Sequence, residues 1–443
     1  MAPQNPLMRG AAARAAYAGK SFALLLSQNA VVAIAIATTH TWREPDLWFW
    51  LLPFRRFAML PNLSAGTAAL GFIFALAVGW MIARLSFRRA TQLGYGYVLA
   101  ALSIIPAVQL LPILLLTLLP DRHSDQEPVL VEKANVGHVL QGALAGIAII
   151  VLAVLVSAVT FGAYGWGLFV GTPFFVGVTT AYLANRETLL DLDDTTKLVI
   201  WAAALGCVAL IMFALEGLVC IVLVAPLGGA MAAIGGVVGR AIARRRYHRS
   251  KPMLSLALLP LVFALEALAP PATTIDTDQS IVIDAPAGAV WRTLISDEPI
   301  GAKPQLVAAA GLAYPIRGRL VGTGVGAERI GEFSTGNAVE RVTVWEPRRR
   351  LSFRVISQPP MMEEMSPYRR VHAPHVNGYF DTGDTTFRLD RVSGTRTRLT
   401  VRASHLLRID PAIYWAPMAQ RAAHMNVQRV LESVKERSER RPR

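Results

Sequence analysis

Hydrophobic positions along this chain follow two regimes that change near residue 271. Before it they form long unbroken runs. A membrane span needs about 20 apolar residues, and seven runs meet or approach that: 22–39, 63–85, 97–119, 136–161, 166–184, 198–215 and 218–238. An eighth, 253–269, is short, contains a proline and ends at Pro270-Pro271. The stretch 41–60 carries Trp42, Trp48 and Trp50 with Arg55-Arg56 and reads as interfacial. After residue 272 the apolar positions alternate with polar ones. Strands are expected over 280–284, 324–333, 338–346, 351–356, 385–392 and 396–407. A short helix opens behind Pro286 and runs through Val290 and Trp291. The final helix, 413–439, places Val427, Val430, Leu431 and Val434 on one face. The pattern therefore predicts an α-helical transmembrane bundle of seven or eight spans over 1–271, then an α+β domain over 272–443. In that domain a curved antiparallel sheet wraps a long C-terminal helix.

Composition supports the division. Of 443 residues 53% are hydrophobic and only 17% charged, against about 25% charged in ordinary soluble domains. The net charge of +14 would suggest nucleic acid, but no aromatic-basic motif accompanies it. Much of it lies at the ends of apolar runs, as in Arg240, Arg244, Arg245, Arg246, Arg249 and Lys251. Such a basic loop belongs on the cytoplasmic side. If 253–269 spans, the soluble domain faces the periplasm. Cys207 and Cys220 both lie in apolar runs and do not suggest a disulfide framework. The glycine-rich stretches 142–146 and 228–239 have two readings, close helix packing and a transport path. A path calls for ionisable groups in mid-span, and only Glu216 and Glu266 qualify, so packing is preferred.

Two family resemblances follow from particular residues. Arg88-Arg89-Ala90-Thr91-Gln92-Leu93-Gly94, ahead of an apolar run with Pro106, resembles a small bacterial inner-membrane family of unknown function, with Gln92 in place of that family's aspartate. The stretches SIVIDAPAGAVW, GVGAERIGEFSTGNAVERVTVWEPRRRLSFRV and GTRTRLTVRASHLL resemble the START/polyketide-cyclase superfamily (SRPBCC, the helix-grip fold) across about 273–437. The segments 359–380 and 405–415 look like a membrane-tethered bacterial branch of it. The resemblance implies a hydrophobic cavity for lipids, sterols, polyketides or other apolar ligands. Some members are cyclases, hydrolases or aromatases and many only bind; no superfamily-wide catalytic motif carries over.

Candidate cavity residues follow from strand parity. Leu399, Val401, Ala403, His405 and Leu407 share one face, opposite Arg398 and Arg402, and Phe387 and Leu389 are placed with them. His405 is the ionisable group there: a core histidine on the plain reading, a ligand anchor or proton carrier on the sharper one. Tyr414 and Trp415 are expected in the cavity wall. Met361, Met362 and Met365 lie in a segment that is either a lid over the cavity mouth or a loop packed on the membrane domain. His372 and His375 flank a proline, and no metal or other cofactor is expected. Glu328, Glu332, Glu340 and Glu346 alternate with Arg329 and Arg341 and read as solvated cross-strand pairs, with buried general acid/base carboxylates as the second reading. The expected function is membrane-anchored binding or sequestration of a lipid or apolar small molecule in the bacterial inner membrane. The alternatives are a cyclase- or hydrolase-like enzyme using His405 with a carboxylate, and a structural or sensory protein with a filled core.

Overall fold

The computed structural model describes residues 6–38, 49, 65–93, 99–100, 103, 109–119, 136–244, 259–301, 304–366 and 374–440. Apart from Phe49, the interfacial stretch 41–60 lies outside them, as do residues 245–251, Gly94, Pro106 and His372. The chain divides into two compact units. One comprises Met1–Val156, Val170–Leu261 and Ser366–Val371; the other comprises Ser157–Phe169, Val262–Met365 and His372–Arg443.

The helices of the first region are α1 (Pro6–Thr38), α2 (Ala65–Leu93), α3 (Leu110–Leu118), α4 (Val136–Val154), α5 (Thr172–Asn185), α6 (Leu192–Met212) and α7 (Leu218–Arg244). A π-helical turn, Leu155–Thr160, continues α4, and another, Gly167–Gly171, leads into α5. Among the described residues five helices are long and apolar enough to cross a membrane: Ala12–Ala37, Gly137–Thr160, Gly167–Asn185, Leu192–Met212 and Leu218–Arg244. That is fewer than the seven or eight expected. Of the expected run 97–119, residues 97–98, 101–102 and 104–108 lie outside the described ones, and the described part includes the nine-residue α3. The expected span 63–85 falls in α2, which is not among the five. Within the run 253–269, residues 253–258 lie outside the described ones, and the described part forms α8 (Leu259–Leu268), ten residues long, a rise of about 15 Å at 1.5 Å per residue.

The glycines of the first unit pack helices. A Cβ on Gly177 would lie 1.9 Å from the Ala232 carbonyl oxygen, and one on Gly235 would lie 2.0 Å from that of Phe174. The backbones of α5 and α7 touch at these points, as small residues allow.

The second unit is built on β1 (Thr273–Ile283), α9 (Ala287–Leu294), α10 (Gln305–Ala309), β2 (Pro315–Val321), β3 (Glu328–Phe333), β4 (Gly336–Glu346), β5 (Arg350–Ser357), β6 (Phe380–Arg391), β7 (Thr397–Leu407) and α11 (Ala412–Glu439). The strands form one antiparallel sheet in the order β1-β7-β6-β5-β4-β3-β2. α11 lies against β1 and β7, which is the helix-grip arrangement. Its C-terminal half is tied down from both sides. Lys435 Nζ donates to the Val282 carbonyl at 2.9 Å, and the Asp284 amide donates to Glu439 Oε1 at 2.7 Å. β2 was not expected. It is an edge strand bearing Arg317 and Arg319; charged edges resist further strand pairing but hide the apolar alternation by which strands are recognised. β1 is longer than expected because its first half, Thr273–Gln279, has a single apolar residue, Ile275, at its inward positions, the others being Thr273, Thr277 and Gln279.

Candidate functional site

Strand parity places the side chains of β7 as expected: Leu399, Val401, Ala403, His405 and Leu407 are all buried, between exposed Arg398 and Arg402. They divide into two groups along the strand. Leu399 and Val401, with Phe387 and Leu389 of β6, belong to a packed cluster that includes Trp291 of α9, Leu351 and Phe353 of β5, and Leu431 and Val434 of α11. Ala403 and His405 stand at the other end of β7 and outside that cluster. Opposite them on β1 are Thr277 and Ile275.

His405 is 8% exposed. Its ring stacks on Phe380 with centroids 4.9 Å apart, and Nδ1 lies 3.2 Å from the Thr382 hydroxyl. Nε2 is buried and has no hydrogen-bond partner. Desolvation lowers its pKa to about 4, against a smaller opposing pull from Asp276; the imidazole is therefore neutral near pH 7. The folded pKa lies below the unfolded value of about 6.5. The stability tied to the neutral ring is thus complete above pH 6.5 and is lost as pH falls through about 4. A shift of this size corresponds to about 3 kcal/mol. The purified chain should therefore lose thermal stability between pH 6.5 and 4, with His405→Gln visibly flatter over that window. Equal slopes in near-ultraviolet circular dichroism melts would remove the ring as the cause.

Trp415 and Asn426 sit eleven residues apart on α11, so they point the same way to within about 20°. Trp415 Nε1 and Asn426 Oδ1 are also buried without partners. The Trp415 ring packs on Phe169 at 5.0 Å and perpendicular to Tyr414 at 5.1 Å, and the Asn426 amide donates to the Ala313 carbonyl at 2.9 Å. The methionine segment is stitched into the fold. The Ala313 amide donates to the Met361 carbonyl at 2.8 Å and the Met361 amide to that of Val376 at 2.9 Å. Met362 is buried and bridges to Leu312, while Met365 is 45% exposed. Gly311, at φ +67°, permits this: a Cβ there would meet the Glu363 carbonyl at 2.1 Å.

Two features differ from the expectation. Glu340 is a solvated residue in the sequence reading but is 4% exposed and faces inward between Ala338 and Val342. It pairs with Arg329, whose guanidinium lies 4.4 Å over the Phe353 ring. Burial raises the pKa of Glu340, and the guanidinium opposes that rise. The second feature is at His375, which lies 2.9 Å from Glu364 Oε1 through Nε2 and 3.4 Å from the Tyr164 hydroxyl through Nδ1. Tyr164 lies 211 residues earlier in the chain, and no local pattern announces it.

No protein-family profile matches the chain, and no curated protein matches it. Solved structures do. The Zhui aromatase/cyclase from Streptomyces sp. R1128 is 15% identical with a TM-score of 0.27, the alignment covering 39% of this chain and 97% of that one. Truncated norcoclaurine synthase from Thalictrum flavum is 9% identical with a TM-score of 0.26, covering 39% and 97%. A protein from Thermus thermophilus is 16% identical with a TM-score of 0.24, covering 37% and 97%.

Proposed function

We propose that the second unit binds a lipid or other apolar small molecule bearing a neutral hydroxyl or carbonyl. The apolar helices would anchor it in the bacterial inner membrane. The observation that carries this reading is three buried, unpartnered polar atoms on β7 and α11, His405 Nε2, Trp415 Nε1 and Asn426 Oδ1; a fourth on α11, Ser438 Oγ, lies at the far, C-terminal end of the helix. A buried polar group without a partner costs about 1–3 kcal/mol. A ligand that supplies an acceptor to the indole, or a donor to the amide oxygen, recovers that cost. The site is assigned to the His405 end of the grip because the Leu399 end is filled by its own side chains. Apolar contact would supply the rest of the affinity, about 0.8 kcal/mol per buried CH₂.

Binding is favoured over turnover by the state of His405. A general base works best with a pKa near the operating pH, and about 4 makes this ring a weak one. The test is native mass spectrometry of the full chain in detergent with hexadecanol and hexadecane as probes. The alcohol should be retained and lost on unfolding. The alkane should bind less well, and Asn426→Leu with Trp415→Phe should weaken hexadecanol about tenfold, the equivalent of 1.4 kcal/mol. Absence of any adduct would favour a fully packed interior and remove the binding reading.

A further inference from the structure

Glu266 is the one ionisable group of α8, and the grip interior does not use it. It lines a cavity of about 340 Å³ within the second unit, together with Phe161, Tyr164, Pro270, Tyr379 and Arg408. That volume lies at the lower end of small-ligand sites, roughly 300–1,000 Å³, and suits a head group rather than a whole lipid.

The walls are specifically shaped. The Gly167 amide donates to Glu266 Oε1 at 2.8 Å, while Oε2 is shielded from solvent and has no hydrogen-bond partner. Gly165 makes this possible, since a Cβ there would stand 2.5 Å from the carboxylate. The rings of Tyr164 and Tyr379 meet edge to face at 4.9 Å. Tyr164 is fixed by His375, and the Tyr379 hydroxyl donates to the Gly162 carbonyl. Arg408 is already matched, its Nη1 donating to the Gly378 carbonyl at 2.7 Å and pairing with Asp381. Among the described residues lining the cavity, Glu266 is the charged group with no ion-pair partner, and Asp410 adds to the negative charge near it. A carboxylate beside two tyrosine rings is the chemistry that holds organic cations, by charge and by attraction to the ring faces.

We propose that this cavity is a second ligand site, separate from the grip interior, which takes an organic ammonium group with Glu266 as counter-ion and Tyr164 and Tyr379 as walls. A lipid head and a free amine share this chemistry. The chain favours the lipid, because the cavity's turn, Phe161–Gly165, directly joins two helices long enough to cross a membrane, Gly137–Thr160 and Gly167–Asn185. The turn of such a hairpin lies at the depth of the head groups.

The test is native mass spectrometry of the full chain in detergent, with phosphatidylethanolamine, phosphatidylcholine and phosphatidylglycerol of identical acyl chains, and with tetramethylammonium and ethanolamine as free competitors. At least one ammonium-headed lipid should be retained tenfold or more over phosphatidylglycerol, and millimolar competitor should displace it. Glu266→Gln, which keeps an acceptor for Gly167, should bring the ratio near one. Binding of a free amine that Glu266→Gln abolishes, without any lipid preference, would support the site and make the free amine its source. Equal retention of all three lipids with no free-amine binding, or an unchanged preference in a folded Glu266→Gln chain, would overturn the proposal. If that variant does not fold, the competition on the unaltered chain decides: failure of both amines to displace the lipid overturns it.

Discussion

Glu340→Ala should destabilise the second unit by about 3–5 kcal/mol, while Arg329→Met combined with Glu340→Leu should restore most of that loss. The reasoning starts from desolvation. Glu340 is 4% exposed and pairs with Arg329, so both charges have left most of their water. Together they compensate each other; removing one strands the other among apolar groups, which costs about 3–5 kcal/mol. Arg329 cannot easily turn outward, because it is wedged between the Phe353 ring and Gly318. A Cβ on Gly318 would lie 2.2 Å from the guanidinium, so the glycine is part of the arrangement. The double variant leaves no charge behind and substitutes side chains of comparable volume, an exchange that is often neutral. Denaturant melts of the two variants and the parent chain decide the matter. A single variant as stable as the parent would mean that the pair is solvated in solution.

That pair marks where sequence reading stopped. Its parity was legible: Glu340 alternates in register with Ala338 and Val342, both apolar, which already places it on the inward face. The abundance of neighbouring acids and arginines argued instead for a solvated ladder, and composition prevailed over parity. Where apolar residues filled the inward positions, as on β7 from Leu399 to Leu407 and on α11 at Val427, Val430, Leu431 and Val434, the alternation predicted face and burial correctly. Edge strand β2 escaped because Arg317, Gly318 and Arg319 break the alternation. The cavity at Glu266 could not be read at all. Its walls come from residues 161–165, 266–267, 270–271, 378–379 and 408, brought together only by tertiary folding; the sequence shows just one acid in an apolar run.

The glycines of the first unit offer the other large effect, with a control on one of the two helices they join. Gly177→Val should prevent α5 and α7 from closing and cost more than about 3 kcal/mol, beyond the usual 1–3 kcal/mol of overpacking. The obstacle is backbone: the first added carbon would meet the Ala232 carbonyl oxygen at 1.9 Å and the Gly236 amide nitrogen at 2.7 Å. A side chain in the way can change rotamer, whereas helical backbone yields only by separating the two helices. Separation would also forfeit the contacts at Gly235 and Gly239, whose added carbons would stand 2.0 and 2.2 Å from the carbonyl oxygens of Phe174 and Val178. Gly229 lies on the same α7 as Gly235 and Gly239, yet a Cβ there would meet nothing within 4 Å. Gly229→Ala should therefore be neutral or slightly stabilising, because alanine is the better helix former by up to about 1 kcal/mol. Thermal stability of the two variants in detergent separates close packing from mere small-residue composition. If Gly177→Val melts with the parent, these glycines are not where the helices meet.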